Sequence, residues 1–210
     1  KKSGKFELYL PIQQVTYLPA PTQQNNKAQW SPFTNVFGTV QFNGPDLQLD
    51  FEQGSFESVK LTQVSGKVID VTSKQATLLI RGLAQGHAQD LLNYYLASPS
   101  AGKLSAINEK LKLSGDAKLN LALHLPLNNS VNTTIEGEVT LAGNDLKYGT
   151  HTELKEVNGN IFFSEEKIIA KNLKAQWLGG NIQINSATQL PWQKLSYMNV
   201  SGTANFTDAI

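Results

Sequence analysis

Apolar and polar residues alternate with a period of two along most of the chain, the mark of strands that bury one face. The longest such run goes from Leu113 to Leu127. Leu113, Gly115, Ala117, Leu119, Leu121, Leu123, Leu125 and Leu127 fall on one side; Ser114, Asp116, Lys118, Asn120, Ala122, His124 and Pro126 fall on the other. Fully extended at ~3.3 Å per residue, it would span about 50 Å, against a mean strand of about 5–6 residues. Pro126 has no ladder donor and is expected at a strand end or an edge. Shorter runs surround this one: Val36 to Phe42, Leu47 to Phe51, Thr77 to Ile80, Ile135 to Leu141, Ile161 with Phe163, and Leu173 to Trp177. Asn43-Gly44-Pro45-Asp46, Gly143-Asn144-Asp145 and Gly179-Gly180-Asn181 read as the turns between them. Alternation is already present at Phe6–Ile12 and again at Val200–Phe206, so the chain is expected to be a section of a longer polypeptide.

One segment has a different period. Ala84, Ala88, Leu91, Leu92 and Tyr95 follow helical spacing, and Pro99 stands where such a helix should stop. The spacing predicts a helix over Ala84–Leu96. A weaker stripe at Leu104, Ile107 and Leu111 predicts a short second helix over Leu104–Leu111. The Pro19–Ala28 stretch, with Gln23-Gln24-Asn25-Asn26, reads as a solvated loop.

A short pattern recurs: an aliphatic residue, any residue, glycine, any residue, an apolar residue. It occurs as Val36-Phe37-Gly38-Thr39-Val40, as Val157-Asn158-Gly159-Asn160-Ile161 and as Val200-Ser201-Gly202-Thr203-Ala204. Val64-Ser65-Gly66-Lys67-Val68 and Ile135-Glu136-Gly137-Glu138-Val139 are looser copies. The first two copies extend outwards, with Tyr17 and Tyr148 before them and Phe56 and Trp177 after, giving an internal repeat over about 6–62 and 131–184. Self-similarity of this kind signals a stacked β architecture. The glycine lies on the apolar side, where a missing side chain permits bending or close approach.

Composition narrows the function classes. There is no cysteine, which removes disulfides, thiolate metal sites and cysteine nucleophiles. Eighteen Lys+Arg balance 17 Asp+Glu, and Arg81 is the only arginine, which argues against a nucleic-acid partner. No stretch is long and apolar enough to cross a membrane as a helix. Of the three histidines, His87 falls on the predicted helix, His124 on the polar side of the long strand and His151 in a turn, with no metal-ligand spacing. Glu136 and Glu138 share one side of a strand about 7 Å apart, a separation that suits a glycosidase pair but equally an ordinary solvent face. Neither a nucleophile elbow nor a phosphate-binding glycine loop is present. Trp30, Trp177 and Trp192 suit sugar stacking as well as core packing. No metal or cofactor is expected, and no enzyme activity.

A sheet with one apolar face must cover it. A second sheet would close it into a sandwich; a folded, half-open sheet would instead offer its interior to an apolar ligand. Composition does not choose between them.

The order of segments adds a further clue. A Pro-Phe-Thr-Asn-Val-x-Gly-x-Val-x-Phe run (Pro32–Phe42) is followed by an amphipathic stretch closing on Ala97-Ser98-Pro99. Gly115-Asp116-Ala117-Lys118-Leu119-x-Leu-x-Leu-x-Leu-Pro126-Leu127 comes next, then Leu154-x-x-Val157-x-Gly159-x-Ile161-x-Phe163. This succession, over roughly Phe6 to Ile184, resembles the central region of the YhdP family of AsmA-like envelope proteins; the polar Thr22–Gln29 stretch departs from it. The resemblance implies a mainly β fold, an elongated, twisted antiparallel sheet folded into a taco-like hydrophobic groove with one or two helices. It implies that residues 1–210 form a single fragment of a larger periplasmic β-groove, with the internal repeat and a helical insert at 84–111. It also implies an inner-membrane anchor and contacts with the inner and outer membranes outside this chain, and phospholipid as partner, moved towards the outer membrane with its acyl chains in the groove. On that reading Leu113, Leu119, Leu121, Leu123, Leu125, Val139 and Phe163 line the groove, and the helix, through Leu91, Leu92 and Tyr95, gates or caps it. A closed β-sandwich module for adhesion or carbohydrate binding is the alternative.

Overall fold

The structure, a computed structural model, describes residues 6–18, 31–97, 110–128, 133–150, 152–164, 166–189 and 197–203. Its elements are β1 (Glu7–Tyr17), β2 (Phe33–Asn43), β3 (Asp46–Phe56), β4 (Val59–Val68), β5 (Thr77–His87), α1 (Ala88–Leu96), β6 (Leu111–Leu113), β7 (Asp116–Pro126), β8 (Thr134–Tyr148), β9 (Thr152–Ser164), β10 (Lys167–Trp177), β11 (Gly180–Gln189) and β12 (Tyr197–Gly202). All twelve strands belong to one open antiparallel sheet. Its order is the chain order, β1-β2-β3-β4-β5-β7-β8-β9-β10-β11-β12, with β6 paired to the far part of β8. The sheet is not closed into a barrel, and no second sheet covers it among the described residues.

Register turns the period-two pattern into one apolar face. Leu10, Val40, Leu49, Gly66, Ile80, Leu123 and Ile135 are successive cross-strand partners over seven strands. One residue along, Tyr9, Gln41, Gln48, Lys67, Leu79, His124 and Thr134 make the corresponding row on the other face. A one-residue slip would exchange the two rows, so burial of the first pins the pairing.

The recurring motif is a bulge. Asn35, Gln63 and Glu156, each immediately before the Val-x-Gly, take φ of 52°, 53° and 52°, and the ladder shifts register around each of them. An extra residue there kinks and twists the strand. The following valine is then driven inward: Val36 and Val157 are both buried. Asn172-Leu173-Lys174-Ala175 repeats the geometry with alanine in the glycine position, and Leu173 and Ala175 are buried.

Three expectations need correction, and a fourth falls almost wholly outside the described residues. The helix begins at Ala88, not Ala84: Ala84–His87 finish β5, where Ala84 pairs with Leu61 and Leu119. Ala84 and Ala88 happen to lie four apart, although they belong to different elements. Second, the Leu113–Leu127 run is two strands. Gly115, at φ +77°, breaks it between β6 and β7, and Leu127 is half-exposed beyond the end of β7. Pro126, as expected, ends a strand. Third, Gly143-Asn144-Asp145 is no turn, because β8 runs through it with Gly143 in a bulge (φ +76°). The buried Asn144 side chain bridges both irregularities. Its Oδ1 accepts from the Ala142 N–H (2.8 Å), and its Nδ2 donates to the carbonyls of Ser114 (2.7 Å) and Asp116 (3.1 Å). Fourth, the second predicted helix lies outside the described residues except for its end, where Leu111 is in β6. The Pro19–Ala28 loop also lies outside them. The other two predicted turns stand, at Gly44 between β2 and β3 and at Leu178-Gly179 between β10 and β11.

Candidate functional site: an apolar face half covered by one helix

α1 lies on the apolar face. Its first turn is tied to the strands beneath by directional bonds. The Ala88 N–H donates to the Gly115 carbonyl (3.0 Å), and the Leu113 N–H donates to Gln89 Oε1 (2.8 Å). Ser58 Oγ donates to Asp90 Oδ2 (2.6 Å) while accepting from the His87 N–H (3.1 Å). Asp90 in the first turn also complements the helix dipole.

The other end is held by rings. Tyr94 sits 4.1 Å from Phe56 and 5.4 Å from Phe33, centroid to centroid, and Phe33 stacks on Tyr17 at 6.3 Å. Tyr95 meets Phe163 edge-on at 6.4 Å. Burial, with Tyr17 adding to it, pushes the Tyr94 hydroxyl well above its ordinary range. Phe56 is on β3 and Phe163 on β9, five inter-strand steps apart. On a flat sheet that is about 24 Å, whereas a helix with its side chains is about 10–12 Å across. Adjacent tyrosines of one helix reach both because the sheet curls around α1, as sheets of more than ~10 strands commonly do.

The helix divides the face. Ala88 of the helix joins Ala117, Leu141, Val157, Ala170, Leu173, Ala175, Ile182 and Ile184 in one buried cluster, and Phe56, Val59 and Ala84 form another. Leu91 packs against both. Towards the other end of the strands, Val40, Leu49, Ile80, Leu121, Leu123, Leu125 and Ile135 remain only half-buried. No charged side chain stands among them.

The predicted residues sort along this division. Leu119, Leu121, Leu123 and Leu125 share one side of β7; Val139 is opposite Leu119, and Phe163 is opposite Gly137, which in turn is opposite Leu121. Leu113, Leu119 and Val139 pack against the buried clusters under the helix. Leu121, Leu123 and Leu125 lie in the uncovered half, and Phe163 stands at the boundary, against Tyr95. Of the helix residues, Leu91 and Tyr95 make the inward contacts described and Leu92 is half-buried. Tyr94 was not singled out by the sequence reading. Its signal was the i, i+3 spacing from Leu91, which puts both on one face.

The glycines of the motif give the face its texture. A Cβ on Gly137 would lie 2.5 Å from Phe163 Cζ and 2.8 Å from the Asn120 carbonyl oxygen; one on Gly66 would lie 3.0 Å from Leu49 Cδ1. Both of these glycines are therefore overlaid by a large side chain from the neighbouring strand.

The polar candidates do not converge. Glu136 and Glu138 are on the opposite face, alternating with Ile135, Gly137 and Val139. His87 ends β5 rather than lying in the helix, and its Nδ1 is 2.8 Å from Asp116 Oδ1 with both side chains exposed. His124 is exposed on the outer face of β7, and Trp177 stands at the end of β10. His151, Trp30 and Trp192 lie outside the described residues. Among the described residues no group of acidic, histidine or cysteine side chains is placed to hold a metal, and no helix is long and apolar enough to cross a membrane.

Comparison with known proteins gives one match. The family model described as YhdP protein matches residues 1–209. The chain belongs to the YhdP family. No curated protein and no solved structure matched the chain. Membership of the YhdP family makes this an envelope protein of a lipid-transport-related kind, consistent with an AsmA-like architecture. The match extends beyond the Phe6–Ile184 span that carried the resemblance in the sequence.

Proposed function

We propose that this chain is a section of a periplasmic lipid conduit, anchored in the inner membrane through other parts of the polypeptide, that moves phospholipid towards the outer membrane and so supports its barrier. The observation that carries the reading is the uncovered half of the apolar face. A row from Leu10 to Ile135 crosses seven strands with no charge and no side-chain hydrogen-bonding group. Acyl chains laid on it would gain ~25 cal/mol for each Å² of apolar area removed from water. A uniform aliphatic surface offers no single deep well, which suits passage rather than storage. Head groups would remain in water at the open side of the curled sheet.

The conduit needs no catalytic residue, and the residues proposed to meet lipid are Leu121, Leu123, Leu125 and Phe163. Leu113, Leu119 and Val139 instead support the helix. The test is mass spectrometry of an organic extract of the purified protein. Co-purifying phospholipid that disappears when Leu123 and Leu125 are replaced by asparagine supports the reading. Bound glycan, or no lipid from a folded protein reconstituted with phospholipid vesicles, overturns it in favour of a carbohydrate-binding or adhesion module.

A further inference from the structure

An apolar face that curls but does not close poses a physical problem. Its two flanks, β2–β4 on one side of α1 and β8–β10 on the other, would each lose water-exposed apolar area by folding onto the other. Two sheets in direct contact pack about 10 Å apart, which would leave no room between them. The geometry points to α1 as the element that prevents this: we propose that α1 is a fixed spacer, adding its own width of ~10–12 Å to the ~10 Å that the side chains of two contacting sheets already occupy, rather than a gate that opens.

Three observations carry the inference. The first turn of α1 is joined to the β3–β4 turn, β6 and the β6–β7 junction by bonds from or to Ser58, Leu113 and Gly115, an attachment unlike that of a swinging lid. Its last turn touches both flanks at once, Tyr94 on Phe33 and Phe56, Tyr95 on Phe163. The sheet beneath it carries the small buried residues Ala84 and Ala117, in the two clusters against which Leu91 of the helix packs. Tyr94 and Tyr95 are positioning residues on this account. They touch the flanks and set the width available to an occupant of the Leu121–Leu125 half.

The inference rests on the conduit reading only for what fills that space; the width itself does not. The absence of cysteine makes a two-label distance measurement direct. Spin labels at Gln48→Cys on β3 and Lys171→Cys on β10 stand on the outer face of opposite flanks, both exposed. In the otherwise unaltered chain they should give one narrow distance. Adding Tyr94→Ala and Tyr95→Ala should shift it to shorter values, with loss of co-purifying phospholipid and retention of the β circular-dichroism signal. An unchanged or longer distance in the folded variant overturns the spacer.

A second variant keeps the question answerable if the double alanine protein unfolds. Phe56→Cys with Tyr94→Cys, joined by a short bis-maleimide to which both thiols add, fixes the helix to its flank. A spacer carries lipid as well when joined as when unaltered; a gate loses lipid transfer when joined. If the unaltered chain holds no lipid, the conduit reading fails, and the distance measurement still decides the spacer.

Discussion

Replacing Leu121 by aspartate puts a charge midway along the β7 face, in the half that α1 leaves uncovered. Fully burying a leucine contributes about 1.5–3 kcal/mol; Leu121 is partly buried, so its removal should cost about 1–2 kcal/mol, with the new carboxylate hydrated. For a chain of this size that is a fall in Tm of about 2–8 °C. The same substitution at Ala117, four residues away on the same side of β7, has a different consequence. Ala117 is 3% exposed beneath the helix, and an unpaired buried charge costs about 3–5 kcal/mol, a loss of roughly 10 °C or more. The assay is thermal denaturation followed by circular dichroism, with mass spectrometry of bound lipid in parallel. The expected pattern is a folded Leu121→Asp protein without lipid and an unfolded or strongly destabilised Ala117→Asp protein. Equal destabilisation of the two would mean that the uncovered half is packed core. A folded Leu121→Asp protein with undiminished lipid would remove this part of the face from the pathway.

Asn144→Ala should destabilise by about 2–3 kcal/mol, since one backbone donor and two carbonyls lose their partner in a buried place; the urea midpoint reads it. Gly137→Ala should cost about 1–3 kcal/mol through the clash with Phe163 and the Asn120 carbonyl, whereas an added Cβ at Gly44 meets nothing within 4 Å, so Gly44→Asn should be nearly silent in the same measurement. Because burial raises the Tyr94 pKa above that of an unfolded tyrosine, about 10, the unfolded chain binds fewer protons than the native one above that pH. Stability should therefore fall as pH rises past ~10, and Tyr94→Phe should flatten that part of the alkaline denaturation curve. Glu136→Gln, Glu138→Gln and His124→Ala should leave lipid co-purification unchanged, as side chains of the outer face.

Much of the fold was legible because register and alternation are the same physical fact. Val36–Phe42, Leu47–Phe51 and Ile135–Leu141 each had to present one side inward, and they do. The breaks were hidden for opposite reasons. Gly115 stands in phase with the leucines on either side of it, so the pattern continues across a junction where the backbone does not. Gly143-Asn144-Asp145 has the composition of a turn, and only the carbonyls of Ser114 and Asp116, 30 and 28 residues away in sequence, show that Asn144 spans a gap instead. The start of α1 was obscured because the strand beneath it carries Gly82, Ala84 and Gly86, residues too small to display a strand period. The direction in which the leucines of β7 face was legible; which of them the helix covers was not, since that depends on contacts with β2, β3 and β9.

The overlay of glycines by their neighbours has an electrical consequence. The most polar part of any β surface is its own peptide groups, and a bare glycine leaves those dipoles uncovered. Phe163 over Gly137 and Leu49 over Gly66 work like roof tiles, so that what faces the open half is hydrocarbon belonging to the adjacent strand. The face thus acquires a continuous insulating coat even where its own strand supplies no side chain. Trimming Phe163 to alanine would strip a tile rather than widen a space, exposing the Asn120 carbonyl and giving water a hydrogen-bonding foothold on a surface that is otherwise hydrocarbon.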